Sequence, residues 1–381
     1  MARLGDIFTI TSGGTPDKKK SEYYANGTIP WVKTGDLKNQ YVPTGIECIT
    51  EEGLKNSSVK LFPPNTVLVA MYGATIGACS ILPYEASTNQ ACAAFLPNEK
   101  VMPTYLYYFL SSKKEQFIKD GVGGAQPNIS AGYLKNVQFD LIPMQQQINM
   151  VSTLDKVSEL IALRKEQLAK LEQLVKSRFI ELFGDPVANE KGWPLATLGE
   201  VAEIRIGPFG TLLHKEDYIE GGHALVNPSH IIEGSICVDD KLTISDEKYK
   251  ELSAYHLLVG DVVLGRRGEM GRCAVVYKEG LLCGTGSMVI RPSDKMKPYF
   301  LQNIISNPAY KKVIEDKAVG VTMMNLNVPI VSSLTIPLLP VEMQEKFIVF
   351  MQKTDKSKLA VQQSLDKLET LKKALMQKYF G

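Results

Sequence analysis

From Gln145 to Phe183 the chain holds no glycine and no proline, and its apolar positions keep a fixed period. Leu154, Ile161, Leu168, Val175 and Leu182 recur every seven residues, with Val157 and Leu171 at the +3 positions of the same face. Such a repeat marks a helix that packs lengthwise on another helix. About 40 residues at a 1.5 Å rise predict a rod of roughly 60 Å. Pro143 opens it and Gly184-Asp185-Pro186 closes it. Taken alone, the stripe also suits a single amphipathic helix lying on a globular core. A second stretch at the end of the chain, with Val361, Leu365, Leu368, Leu375 and Tyr379 on one face, offers the first a partner. Charges interrupt both stripes: Arg164 and Arg178 in the first, Lys358 and Lys372 in the second. They suit either snorkelling at the edge of the seam or a face for another subunit, and the second is their expected use.

Outside these stretches the pattern is of short β-rich runs between turns. In residues 1–142, turn chemistry is dense at Ser12-Gly13-Gly14-Thr15-Pro16 and Ala25-Asn26-Gly27. Thr66 to Met71 reads as a buried strand, Gly73 to Gly77 as a tight connection, and Thr104 to Lys119 as a helix. A glycine-rich loop follows at Gly121 to Asn128, and a last strand at Val137 to Ile142.

Residues 198–339 repeat this plan. Leu4-Gly5-Asp6 is echoed by Leu198-Gly199-Glu200, Gly77-Ala78-Cys79 by Gly271-Arg272-Cys273, Pro103 by Pro298, and Gly123 and Asn128 by Gly320 and Asn325. Ile142-Pro143 is matched by Leu339-Pro340 at a shift of 197 residues, which then holds to the end of the chain. The stretches from Gln167 and Ser364 share 8 identities in 18 positions, including the closing Phe183-Gly184 and Phe380-Gly381. The reading is an α+β chain with a pseudo-two-fold internal repeat: two similar globular domains separated by two long helices. The divisions are domain 1 at 1–142, helix 1 at 143–184, domain 2 at 185–339 with a short linker at 185–197, and helix 2 at 340–381. If the two stripes pack together, chain order makes them an antiparallel coiled coil, like an isologous dimer fused into one chain. Two non-identical domains on a rigid spacer would make a ruler for two half-sites; one turn of B-DNA is about 34 Å. A scaffold for two protein partners would share that shape.

Composition narrows the class. The chain has 381 residues, 44% hydrophobic and 22% charged, as in ordinary soluble proteins. No apolar run of membrane-spanning length occurs and the N-terminus lacks a signal-peptide core, so a cytoplasmic protein is expected. The six cysteines are widely spaced, which suits free thiols rather than zinc ligands. Net charge is +2. Basic and acidic residues number 13 and 12 in 1–142, 6 and 5 in 143–184, 16 and 19 in 185–339, and 8 and 5 in 340–381. No segment is strongly basic, so any DNA contact rests on local patches or on a partner.

Catalytic chemistry finds no support. A phosphate-cradling G-x-x-x-x-G-K-[ST] is absent. Asn227-Pro228-Ser229-His230 and Asn307-Pro308-Ala309-Tyr310 faintly echo the Asn-Pro-Pro-Tyr box of amino-methyltransferases, but no cofactor-binding glycine motif accompanies them. Asn307-Pro308 reads better as a helix interruption. The histidines lack metal spacing. No catalytic residue, metal ligand or cofactor is expected in this chain.

The ordered motifs resemble those of the specificity subunits of type I restriction–modification systems. The resemblance covers essentially the whole length. It rests on Leu4-Gly5-Asp6, on Gly73-Ala74-Thr75-Ile76-Gly77, on the loop Gly123 to Ser130, and on the exit Phe183-Gly184-Asp185-Pro186. It rests most on Ile142-Pro143 with Gln145-Gln146-Gln147-Ile148, repeated as Leu339-Pro340 with Glu342-Met343-Gln344. The motifs are individually weak and specific in their duplicated order. The resemblance implies two target recognition domains, each reading half of an asymmetric bipartite site in double-stranded DNA. It implies helices that set the spacer and dock two methyltransferase subunits, and motor–nuclease restriction subunits as further partners. S-adenosylmethionine, ATP and Mg would sit on those partners, and the present chain would not catalyse. The alternative is a coiled-coil scaffold that binds no DNA.

For DNA contact the best cluster is Arg266-Arg267 with Arg272, after the strand Val262-Val263-Leu264 and among Gly265, Gly268 and Gly271. Arginine pairs bidentately with guanine or grips phosphate; a solvated turn with salt bridges is the plainer use. Tyr72 lies near the Arg266 position in domain 1. Lys18, Lys19 and Lys20 could bind phosphate or form a bare charge run. Lys33 and Thr34 follow Trp31-Val32, where a loop could enter a groove, and Arg205 and Asn227 are further candidates in domain 2.

Overall fold

The computed structural model describes residues 1–122, 128–208, 212–320 and 324–381. It divides into two compact units, 1–166 with 362–381, and 167–361. The long stretches are helical over Met144–Phe183 and Val341–Phe380, 40 residues each. The unit boundary falls inside both helices, so each unit holds one globular domain and a part of each helix.

In the first unit a four-stranded antiparallel sheet runs in the order Ile10–Ser12, Cys92–Phe95, Val67–Ala70, Cys79–Ile81. Every residue of Val67–Ala70 and Cys92–Phe95 is buried. Burial on both faces explains why these strands are continuous apolar runs rather than alternating ones. One face packs on the helix Pro103–Ser112 and on the start of the first long helix, in a core that includes Leu106, Phe109, Phe139, Val151 and Leu154. The other face, with Leu68, Ala70 and Ala94, packs on a smaller sheet in which Ile29–Val32 runs parallel to Ala86–Thr88.

The second unit repeats this. Its four-stranded antiparallel sheet runs Ala202–Ile206, Ser287–Pro292, Val262–Gly265, Cys273–Val275, and in its other sheet, of five short strands, His223–Val226 runs parallel to Leu281–Cys283. The expected helix over Thr104 to Lys119 breaks at Lys113 into Pro103–Ser112 and Lys114–Asp120. The matching break lies at Asn307, whose Oδ1 accepts from the Ala309 amide at 2.9 Å. The Asn307-Pro308 pair is therefore a helix cap and start, a sound use of asparagine and proline.

Inside each unit the two long helices run antiparallel. In the first, Lys165 pairs with Glu369 at 2.9 Å and the Arg164 Nε donates to Ser364 Oγ at 3.2 Å. Val151 and Leu154 share their core with Leu375, Met376, Tyr379 and Phe380. In the second, Phe179 and Phe183 stand 5.4 Å from Phe347 between ring centroids, and 5.6 and 5.1 Å from Phe300. Of the stripe residues, Leu154, Val157, Val361 and Leu365 are buried. Ile161, Leu168, Leu171, Val175, Leu182, Leu368, Leu375 and Tyr379 are half-buried.

The interrupting charges Arg164, Arg178, Lys358 and Lys372 are half-buried. Arg178 and Lys358 pair along their own helices with Glu181 and Asp355. Lys372 lies over the Tyr108 ring, 5.9 Å from its centroid. Long aliphatic stems let such residues occupy a seam while their heads find partners within the chain.

A paired device fixes each helix start. Gln147 is fully buried; its Oε1 accepts from the Met102 amide, and its Nε2 donates to the Lys100 and Ile142 carbonyls, each at 2.9 Å. Gln344, 197 positions later, accepts from the Lys297 amide at 2.8 Å and donates to the Lys295 and Leu339 carbonyls at 3.0 and 2.8 Å. The first helix ends at Gly184, whose φ of +79° suits glycine. Lys191 Nζ and Trp193 Nε1 bind the freed carbonyls of Glu181, Leu182 and Phe183, tying down the linker.

Candidate nucleic-acid interface

At one end of the two packed sheets in the first unit, the chain leaves four strands at Ser12, Val32, Ala70 and Thr88, and backbone bonds lace these exits together. Gly14 N donates to Thr88 O at 2.9 Å, Asn89 N to Val32 O at 2.9 Å, and Met71 N to Ala91 O at 2.8 Å. Ile129 N then donates to Met71 O at 3.0 Å, and Tyr72 bridges Asn128. In the second unit Gly284 N donates to Val226 O, Arg266 N to Gly286 O and Leu326 N to Arg266 O, all at 3.0 Å, and Arg267 bridges Asn325. The close approach demands glycine at matching places. A Cβ on Gly13 would lie 1.9 Å from Thr88 O, and one on Gly207 2.0 Å from Gly284 O.

This lacing places several of the candidate residues together. Lys33 and Asn227 hold the same position. Each heads a single helical turn, Thr34–Asp36 and Pro228–His230, and each gives its amide to the third residue of that turn. Thr34 opens the first turn and is half-buried. Lys33 Nζ is bound by Glu47, a hydrogen bond that pushes its pKa up. The register also refines the match across domains: Tyr72 stands where Arg267 does, and the buried Met71 where Arg266 does.

The remaining candidates differ in how free they are. Lys18 and Lys19 are exposed, whereas Lys20 Nζ binds Tyr23 Oη at 2.9 Å. Arg205 pairs with Glu203 and donates to the Ala254 carbonyl. Arg272 pairs with Glu269 and donates to Pro228 O, and Lys311 also binds Glu269. The hydrogen bond from Arg272, then that from Lys311, hold the Glu269 carboxyl below its ordinary range. Among the described residues Arg266 and Arg267 have no hydrogen bond or ion pair through their guanidinium groups. Burial first, and then the charge of Arg267, push the Arg266 pKa down.

The sequence marks Asn128 and Asn325 only as matched positions of the repeat, and does not single out Thr15 or Gln90 as contacts. The two asparagines anchor the roots of the glycine loops beside Tyr72 and Arg267, and Thr15 Oγ1 donates to Gln90 Oε1 at the same end. The near-200-residue echo of Asn128 by Asn325 was the available signal; Gln90 carried none. Of the two loops themselves, 123–127 and 321–323 lie outside the described residues. Among the described residues no group of three or more His, Cys, Asp or Glu is arranged to hold a metal ion. No helix among them is long and apolar enough to cross a membrane.

The family model for the type I restriction modification DNA specificity domain matches residues 1–173 and again 190–370. This chain belongs to that family. The double match follows the structural repeat, one copy to each globular domain. Among type I specificity subunits, that of MjaIX from Methanocaldococcus jannaschii is 29% identical over 276 residues, 66% of this chain and 63% of the relative. That of EcoR124I/EcoR124II from Escherichia coli is 28% identical over 162 residues, 41% of this chain and 40% of the relative. The chain thus matches under two thirds of the length of these relatives. The crystal structure of the type I S subunit from M. genitalium covers all of this chain and 95% of its own, with TM-score 0.59 at 16% identity. A chain from a solved structure concerned with assembly and conformational transition of a type I R-M system gives TM-score 0.64 at 19% identity, covering 100% and 96%. These structures share the fold.

Proposed function

We propose that this chain is the DNA-recognition subunit of a type I restriction–modification complex and carries no catalysis of its own. Each globular domain reads one half of an asymmetric bipartite site. The long helices set the spacer and dock two methyltransferase subunits, which bring S-adenosylmethionine to adenine N6. Motor–nuclease subunits, with ATP and Mg, join that assembly.

The observation that carries this reading is one end of the packed sheets built twice with different side chains. The backbone lacing is alike in both units, while Lys33 and Thr34 in one correspond to Asn227 and Pro228 in the other. A conserved frame with exchanged side chains is what reading two different sequences requires, because base identity is read by side chains at groove edges. The chain should be expressed with its methyltransferase subunit and methylated adenines mapped across the host genome. The expected motif has two unlike halves and a fixed gap. Replacing residues 1–142 with those of another family member should change one half alone. Methylation that ignores this chain would leave it a scaffold without DNA recognition.

A further inference from the structure

The second unit differs from the first in how its charges are settled. Arg205 has Glu203, Arg272 has Glu269, and Arg291 has both carboxylate oxygens of Asp261 at 2.7 Å. Arg266 and Arg267 have no such partner among the described residues, although they are neighbours and Arg266 is half-buried. The Arg266 backbone is held from both sides, its amide by Gly286 O and its carbonyl by Leu326 N. Its Nε is buried without a partner, and so are the neighbouring Asn325 Oδ1 and the Oγ of Ser287. A half-desolvated guanidinium beside a second positive charge is costly unless an anion answers it. At the same place the first unit has Met71 and Tyr72, which carry no charge.

We propose that Arg266 and Arg267 form an anion site that grips one phosphodiester of the DNA backbone, and that the second unit alone has it. The inference rests on the DNA-recognition reading above. Phosphate is favoured over a base edge by charge. A guanine edge is neutral and leaves the two guanidinium groups repelling, whereas a phosphodiester supplies a full negative charge and oxygens for paired N–H donors. The site then anchors the second domain without reading sequence.

The test uses Arg266→Met with Arg267→Tyr, the residues of the first unit, in the chain assembled with its methyltransferase subunits. Binding to a duplex carrying the methylated motif is measured against salt concentration. Loss of one phosphate contact should lower the slope of log K against log[salt] by about 0.9. The methylated motif should stay unchanged. An unchanged slope overturns the proposal, and if one base of the motif relaxes at the same time, the arginines read a base instead. A second measurement needs no DNA. Arg266→Met in the chain alone removes an unanswered charge, so its thermal midpoint should rise by about 2–4 °C. Inorganic phosphate should stabilise the wild type more than the double variant. A lowered midpoint together with equal phosphate responses would also overturn the site. If the wild-type complex recognises no DNA sequence while phosphate still separates the two proteins, the anion site stands and the recognition reading falls.

Discussion

Gln147 and Gln344 use nearly the whole hydrogen-bonding capacity of their amides on backbone groups, without exposure to solvent. Each joins three segments: the loop before the helix Pro103–Ser112 or Pro298–Ser306, the residue just ahead of the long helix, and that helix's first turn. Replacing either with alanine strands one amide and two carbonyls, most of them part-buried. Three fully buried groups at about 1–3 kcal/mol each would cost about 3–9; with water reaching the part-buried ones, Gln344→Ala should cost about 2–4 kcal/mol. A urea titration checks it, and a loss under about 0.5 kcal/mol, the level of an ordinary surface change, would show the pin to be decorative. The motif was legible as Gln145-Gln146-Gln147 and its echo, in which the 197-residue shift leaves only Gln147 and Gln344 as a matched pair, but the sequence does not tell that this pair turns inward. Gln145 instead bonds Asn149 on the exposed face. Arg266, Arg267 and Arg272 were legible as a cluster in the same limited sense. Their split into answered and unanswered charges depends on which arginine turns toward Glu269, three residues from Arg272, and on Lys311, which folding brings to the same carboxylate.

The helical seam shows where periodicity stops being informative. In the middle of the first helix the seven-residue stripe marks the inner face correctly. Near its end burial moves to Phe179 and Phe183, because there the helix packs on Phe300 and Phe347 in a globular core. A straight helix drifts by about 20° per heptad from a strict 3.5 repeat, so the residues facing a domain need not continue a stripe set by a helix partner. Lys372 is the sharpest departure. It stands 197 positions after the half-buried Val175, over Tyr108, whose hydroxyl donates to Asp155 at 2.6 Å. Burial pushes its pKa below the usual 10.5, Asp155 pulls it back, and Lys165 adds to the depression. The folded state thus holds its proton less tightly than the unfolded chain. Stability should rise as pH increases through the depressed value toward 10.5. Urea midpoints for the wild type should climb across that window and those of Lys372→Met should climb less; parallel curves would refute the assignment.

At the scale of the whole chain, the repeat made the order of domains and helices readable, and the 197-residue shift located both helix starts. The compact units were not readable in the same way. Their boundaries cut the helices near Glu166 and Val361, because membership depends on which side chains at the helix ends enter each domain's core. Phe380 is such a residue: it lies 5.4 Å from Tyr105 and 6.2 Å from Phe109 between centroids, and its carbonyl accepts from Lys113 Nζ at 2.7 Å. Deleting residues 362–381 should therefore strike the first unit, whose Lys113 lies 267 residues before Phe380, and spare much of the second. Hydrogen exchange should show protection lost over Pro103–Ser112 and Met144–Glu166, with the sheet of Ala202–Ile206 and Val262–Gly265 still protected. Equal loss in both units would refute the division.

The discontinuity of the first unit has a further consequence for biosynthesis. Domains fold as they emerge from the ribosome, in general the N-terminal one first. Here the part of the chain made first is completed last. Until residues 362–381 are made, Val151 and Leu154 lack the Leu375, Met376 and Phe380 that cover them in the finished core. The second unit, an unbroken run from Gln167 to Val361, has every piece before then. A nascent chain of this protein therefore carries an unfinished apolar face from the making of Leu154 to that of Leu375, Met376 and Phe380, and a product stalled or clipped between them is marked by that face as incomplete.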